Sequence, residues 1–212
     1  MRVDPRARVA RALLRRLLSS VFEIRAEGLE HLPSGPYILA CNHLGWVDPF
    51  VILAALPARP RVHFLGRRSA IHNRAWKRWI LSAFGGVIPV DPGAHSLGLS
   101  DQVAAVLRGG GALALFPEGA TGPEEGALLP FRPGVARYAA ASRLPVVPAG
   151  LAGTLELWLG KGLTLRLGPP LHCEVESEAE LARIRVAVAQ ALPAYTPGAG
   201  KRRWPWLTHL LG

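Results

Sequence analysis

His43 and Asp48, in Asn42-His43-Leu44-Gly45-Trp46-Val47-Asp48-Pro49, have the residue types and the spacing for proton transfer. An imidazole held by a carboxylate is a general base: the carboxylate fixes the tautomer and stabilises the imidazolium formed when the ring takes a proton. In a continuous helix, residues five apart point about 140° away from each other and could not meet. Pro49 removes the difficulty. Proline suits the first helical position, and the residue before it avoids helical angles. The sequence therefore predicts a helix beginning at Pro49, Asp48 as its N-cap, and His43 on a loop that Gly45 lets fold back. The same spacing also fits a plain capped helix beside a loop histidine. Cys41 lies two residues before His43 and would share its face in an extended strand. That allows a cysteine nucleophile activated by the imidazole, set against a small buried hydrophobe. A second candidate group is Phe116-Pro117-Glu118-Gly119-Ala120-Thr121-Gly122, where a carboxylate followed by glycines could hold a site open and offer backbone donors. It also fits an ordinary turn.

These groups need a scaffold. Apolar runs predict strands at Tyr37–Cys41, Val62–Leu65, Val87–Val90, Ala112–Phe116, Val146–Leu151 and Leu163–Leu167, with a further one at Val21–Ala26. Helical spacing predicts helices at Pro49–Leu56, Arg74–Phe84, Ser100–Arg108, Pro133–Arg143 and Glu178–Leu192, the last opened by a Ser177/Glu180 capping box. The alternation predicts an α/β fold: a single domain over 23–192 with a mixed, largely buried sheet flanked by helices. Both candidate groups then fall just after strands, where open α/β sheets place chemistry.

Residues 1–22 carry a basic amphipathic helix over 6–22, with Val9, Leu13, Leu14, Leu17, Leu18, Val21 and Phe22 at helical spacing and Arg6, Arg8, Arg11, Arg15 and Arg16 between them. It suits a lipid interface and equally a core-docked helix with a solvated basic face. The tail, 193–212, reads as loose, with Pro193–Arg203 rich in Pro and Gly; its Lys201–Leu207 run pairs basic residues with two tryptophans, which suits an interface and equally a frayed terminus. The chain has 212 residues and a formal net charge of +10, which favours anionic partners. No nucleic-acid-binding motif accompanies the charge, so a membrane surface is the expected anionic partner, with no nucleic acid. Two cysteines make no disulfide framework. No apolar run reaches the roughly 18 residues of a spanning helix. The expectation is a peripheral protein on the cytoplasmic face of a membrane.

Taken in order, the motifs resemble those of the PlsC-type glycerolipid acyltransferases, the 1-acylglycerol-3-phosphate acyltransferases. Asn42-His43-x4-Asp48-Pro49 and Phe116-Pro117-Glu118-Gly119 match the first and third signature blocks; Gly86–Asp91 stands in place of the second, and Val146–Gly150 resembles the fourth. Leu128–Gly134 resembles the run after the third block, and the likeness covers residues 20–170. It implies an α/β sandwich and a reaction without metal or cofactor. It implies that His43, oriented by Asp48, deprotonates a lysolipid hydroxyl attacking an acyl-CoA or acyl-carrier-protein thioester. Glu118 and Gly119, with Phe116 and Pro117 beside them, match residues that shape the acceptor site. Three positions depart from the family pattern. Thr121 and Pro92 stand where arginines expected to grip the acceptor phosphate are usual, and Gly45 replaces a common serine. Arg67 and Arg132 are the remaining candidates for a phosphate contact. The resemblance therefore leaves room for an acceptor other than lysophosphatidate, or for hydrolysis of the thioester by the same base.

Overall fold

The strand that delivers His43 is buried on both faces. Ile38 and Ala40 enter one hydrophobic cluster and Leu39 and Cys41 the other, as the two-residue period of a strand requires. A strand with two apolar faces belongs inside a sheet covered on both sides. The computed structural model describes residues 5–67, 86–90, 97–195 and 202–210. Its elements are α1 (Pro5–Val21), β1 (Phe22–Glu27), β2 (Ile38–Cys41), α2 (Asp48–Ala55), β3 (Val62–Arg67), β4 (Gly86–Val90), α3 (Leu97–Arg108), β5 (Ala112–Leu115), α4 (Gly134–Ser142), β6 (Val146–Ala152), β7 (Lys161–Leu167) and α5 (Glu178–Ala191). The strands form one seven-stranded sheet in the order β1-β7-β6-β2-β5-β3-β4. Among the described residues every pairing is parallel except β6 with β7.

The predicted mixed α/β architecture is the observed one. α1 and α2 cover one face of the sheet, around Leu14, Val47, Val51 and Ile52. α3, α4 and α5 cover the other, around Val103, Val135, Ala139, Ile184 and Val188. The predicted helix at 74–84 lies outside the described residues, as do Asp91 and Pro92. The capping box on α5 is half formed: the Glu180 amide donates to Ser177 Oγ at 3.2 Å, but the Glu180 carboxylate accepts from Arg183 at 2.7 Å.

α1 docks and also stays exposed, on different faces. Leu14 is buried, while Val9, Leu13 and Leu17 face outward. Arg11, expected on the basic face, is instead buried. Its Nη2 donates to the carbonyls of Leu53 and Leu56 at 2.7 and 2.9 Å. A helix leaves its last carbonyls without partners of its own, and a guanidinium satisfies them with charge of the favourable sign.

The tail departs from its predicted looseness over 202–210. Pro205–His209 form a 3-10 turn and Leu207 is buried. Thr208 Oγ1 accepts from the Leu157 amide at 2.8 Å, and the Thr208 carbonyl accepts from Trp46 Nε1 at 3.2 Å. Two anchoring side chains, Leu207 and Thr208, hold this stretch, and its local composition does not announce either contact.

Candidate active site

The β2–α2 loop turns back because its own amides converge on one carboxylate. The Leu44 and Gly45 N–H groups donate to Asp48 Oδ2 at 2.6 and 2.9 Å, and the Asp48 amide donates to the Gly45 carbonyl at 3.2 Å. His43 Nδ1 lies 2.8 Å from the same Oδ2. A carboxylate only accepts, so Nδ1 carries the proton and Nε2 presents a lone pair. Asp48 is fully buried and the His43 side chain keeps 23 % of its surface exposed. The ring is thus held from behind and reachable in front. Phe116 supports it from the side, stacked at 4.2 Å between centroids and 16° between planes.

One expectation needs correction. Asp48 does not cap α2; it is the first residue of the helix, Val47 stands at the cap position with helical angles, and no side chain caps there. Oδ2 is occupied by the loop amides and the imidazole, and the buried Oδ1 has no hydrogen-bond partner among the described residues. Gly45 serves the turn through space more than through conformational freedom: a Cβ there would sit 3.0 Å from the Thr154 carbonyl oxygen.

Glu118 bonds to the His43 loop itself. It is buried, with Oε1 accepting from the His43 amide at 3.0 Å and Oε2 from the Leu129 amide at 2.8 Å. Burial pushes its pKa up, and the two amides partly offset this. Both oxygens are committed to backbone, so the side chain braces the His43 loop against the 128–134 run. Gly122 adds a second tie, its amide donating to the His43 carbonyl at 2.6 Å. Gly119 has φ +69°, and a Cβ there would meet the Arg132 side chain. Arg132 is exposed beside it, and its amide donates to the Pro117 carbonyl at 2.8 Å. Arg67 ends β3, its backbone at the same edge of the sheet.

Cys41 is not placed to act as a nucleophile. It is fully buried and its sulfur faces Asn42 Oδ1 at 3.7 Å. Burial, then the charges of Asp48 and Glu118, push the thiol pKa well up, so the thiolate is disfavoured.

Two positioning residues had no assigned role in the sequence reading. Asn42 clamps the end of β2 to β6, its amide donating to the Leu151 carbonyl at 3.1 Å and accepting from the Leu151 amide at 2.7 Å. A polar residue directly after a buried strand is a readable hint of such a clamp. Glu125 accepts from the Gly153 and Leu155 amides at 3.0 and 3.1 Å, fixing the loop after β6. It sits among other loop acids, with nothing in its spacing to single it out. Among the described residues no group of three or more His, Cys, Asp or Glu is arranged to hold a metal.

A family model described as "Acyltransferase" matches residues 23–152, more than half of the chain and the whole of this site. The chain belongs to this acyltransferase family. A 1-acyl-sn-glycerol-3-phosphate acyltransferase of Bacillus subtilis is 27% identical over 84% of the chain and 91% of its own length. One of Cocos nucifera is 30% identical over 62% of the chain, which spans only 42% of that relative. The fold of this acyltransferase is that of the 1-acyl-sn-glycerophosphate acyltransferase PlsC of Thermotoga maritima, with a TM-score of 0.71 over 87% of the chain and 77% of that structure at 18% identity.

Proposed function

We propose that this acyltransferase moves a fatty acyl group from an acyl-CoA or acyl-carrier-protein thioester to the hydroxyl of a 1-acylglycerol-3-phosphate-like lysolipid. The observation that carries this reading is the 2.8 Å contact of His43 Nδ1 with a buried Asp48 oxygen already fixed by two amides. Nε2 takes the hydroxyl proton as the oxygen attacks the thioester carbon. The resulting tetrahedral intermediate collapses by breaking the C–S bond, and the imidazolium returns its proton to the leaving thiolate. Asp48 holds the ring in the productive tautomer throughout. The names of the relatives support a lysophosphatidate acceptor. The exposed Thr121, standing where a phosphate-gripping arginine is expected, favours a second reading with a less phosphorylated acceptor.

We place the enzyme peripherally on the cytoplasmic face of a membrane. The outward Val9, Leu13 and Leu17 on α1, with exposed Arg15 and Arg16 beside them, support this; no helix among the described residues is long and apolar enough to cross a bilayer.

The test is an acceptor panel with acyl-CoA and acyl-carrier-protein donors, run beside His43→Ala. Transfer should fall about 10²–10⁴-fold in the variant while its circular dichroism is unchanged. Retained turnover there would refute the base. Preference for lysophosphatidate over monoacylglycerol supports the first acceptor reading and the reverse supports the second. Free fatty acid released equally with and without acceptor would make the enzyme a thioesterase.

A further inference from the structure

Nine large apolar side chains stand exposed among the described residues, and six of them fall on two segments: Val9, Leu13 and Leu17 on α1, and Trp204, Trp206 and Leu210 on the tail. The two segments share one layer. Leu14 of α1 and Leu207 of the tail both enter the cluster that contains Val47 and Val51 of the catalytic turn and α2. They also meet on one short loop, where the Gly160 amide donates to the Val21 carbonyl and the Leu159 amide to the Arg203 carbonyl, each at 2.7 Å.

The tail's tryptophans are not exposed through fraying. Trp204 is followed directly by the anchored turn, and the segment is pinned at Arg203, Leu207 and Thr208. Trp204 adopts φ +58°, unusual for a residue with a Cβ. Each of the two indoles is 54 % exposed. A monomeric protein in water gains nothing from fixing two indoles outward. A lipid interface rewards it, because indoles settle at the headgroup level and neighbouring arginines reach the phosphates. Arg203 stands exposed at the head of the segment beside Arg202, whose guanidinium pairs with Glu156 at 3.0 Å, and Arg15 and Arg16 stand exposed on α1. The Trp46–Thr208 hydrogen bond then sets this surface against the loop between His43 and Asp48.

We propose that residues 202–210 form a second lipid-contacting element, with Trp204, Trp206 and Leu210 entering the headgroup boundary of an anionic bilayer beside the catalytic loop. This deepens, and rests on, the peripheral-membrane reading above. A lipid acceptor would then reach His43 from the surface that both segments contact.

The experiment uses the full chain and vesicles of phosphatidylcholine with a minority of phosphatidylglycerol, read by co-sedimentation. Trp204→Ser/Trp206→Ser should lower the partition coefficient about tenfold or more, since two half-buried large side chains are withdrawn from the boundary. Its thermal unfolding and its transfer to a short-chain acceptor below the micellar concentration should match the parent chain. Leu13→Ser/Leu17→Ser is the control on the other segment. If that control loses binding while the tail variant keeps it, the tail proposal is overturned and the membrane reading stands. If the parent chain itself stays in the supernatant, both are overturned. Tail-dependent loss of binding with soluble-substrate activity intact supports the proposal.

Discussion

Asp48 and Glu118 are buried carboxylates in the segments that follow adjacent parallel strands, β2 and β5, and both bond to the His43 loop. They differ in what they grip. Asp48 gathers two loop amides and the imidazole on a single oxygen, so it holds a side chain as well as backbone. Glu118 divides its two oxygens between the amides of His43 and Leu129, so it joins two stretches of backbone. A buried charge must be compensated, and hydrogen bonds from amides contribute to this at both carboxylates. The comparison shows that an acidic residue in a motif takes its role from the donors that fold around it.

The largest expected effect breaks the Asp48 side. In Asp48→Asn the amide can donate to Nδ1, leaving the proton on Nε2, the wrong nitrogen for a base. The kcat should fall about 10²–10⁴-fold with KM little changed. Steady-state kinetics at saturating acceptor check this, and near-parent turnover would return Asp48 to a purely structural part.

Glu118→Ala should cost stability before chemistry. Two amides lose their partner inside the protein, so denaturant unfolding should show a loss of about 2–4 kcal/mol. Glu118→Gln sharpens the point through pH. Burial raises the carboxyl pKa from the ordinary 4.5, so the folded chain keeps this proton to higher pH than the unfolded chain. The group therefore lowers stability as pH rises from about 4.5 through the folded pKa, and has no effect below about 4.5. The Gln variant should flatten that part of the stability profile. An unchanged slope would assign it to another group.

Arg11 holds the far end of the helix that begins with Asp48. Arg11→Met keeps the apolar stem and removes the donors to Leu53 and Leu56, for an expected loss of about 1–3 kcal/mol in thermal unfolding. If Asp48 depends on that helix being held, kcat falls with it; a stability loss with full kcat would show that the loop amides suffice. The smallest effect is expected from Gly119→Ala, about 1–2 kcal/mol from its left-handed angle. The clash with the flexible end of Arg132 should relax at little further cost.

The sequence by itself determined the sheet-and-helix alternation, because two-residue and helical periods are local consequences of which side chains seek the core. It also singled out His43 and Asp48, because Pro49 marks a helix start there and leaves His43 on the loop before it. Tertiary structure alone decided the rest. Which oxygen meets which amide depends on chain segments far apart: His43 to Glu118, Asn42 to Leu151, Glu125 to Gly153. The order β1-β7-β6-β2-β5-β3-β4 sets those meetings, and no local pattern encodes it. The same holds for Arg11, which reads as one of several surface arginines until α2 presents its open carbonyls. It holds too for the end of the tail, where Leu207 finds the core and Thr208 finds Trp46.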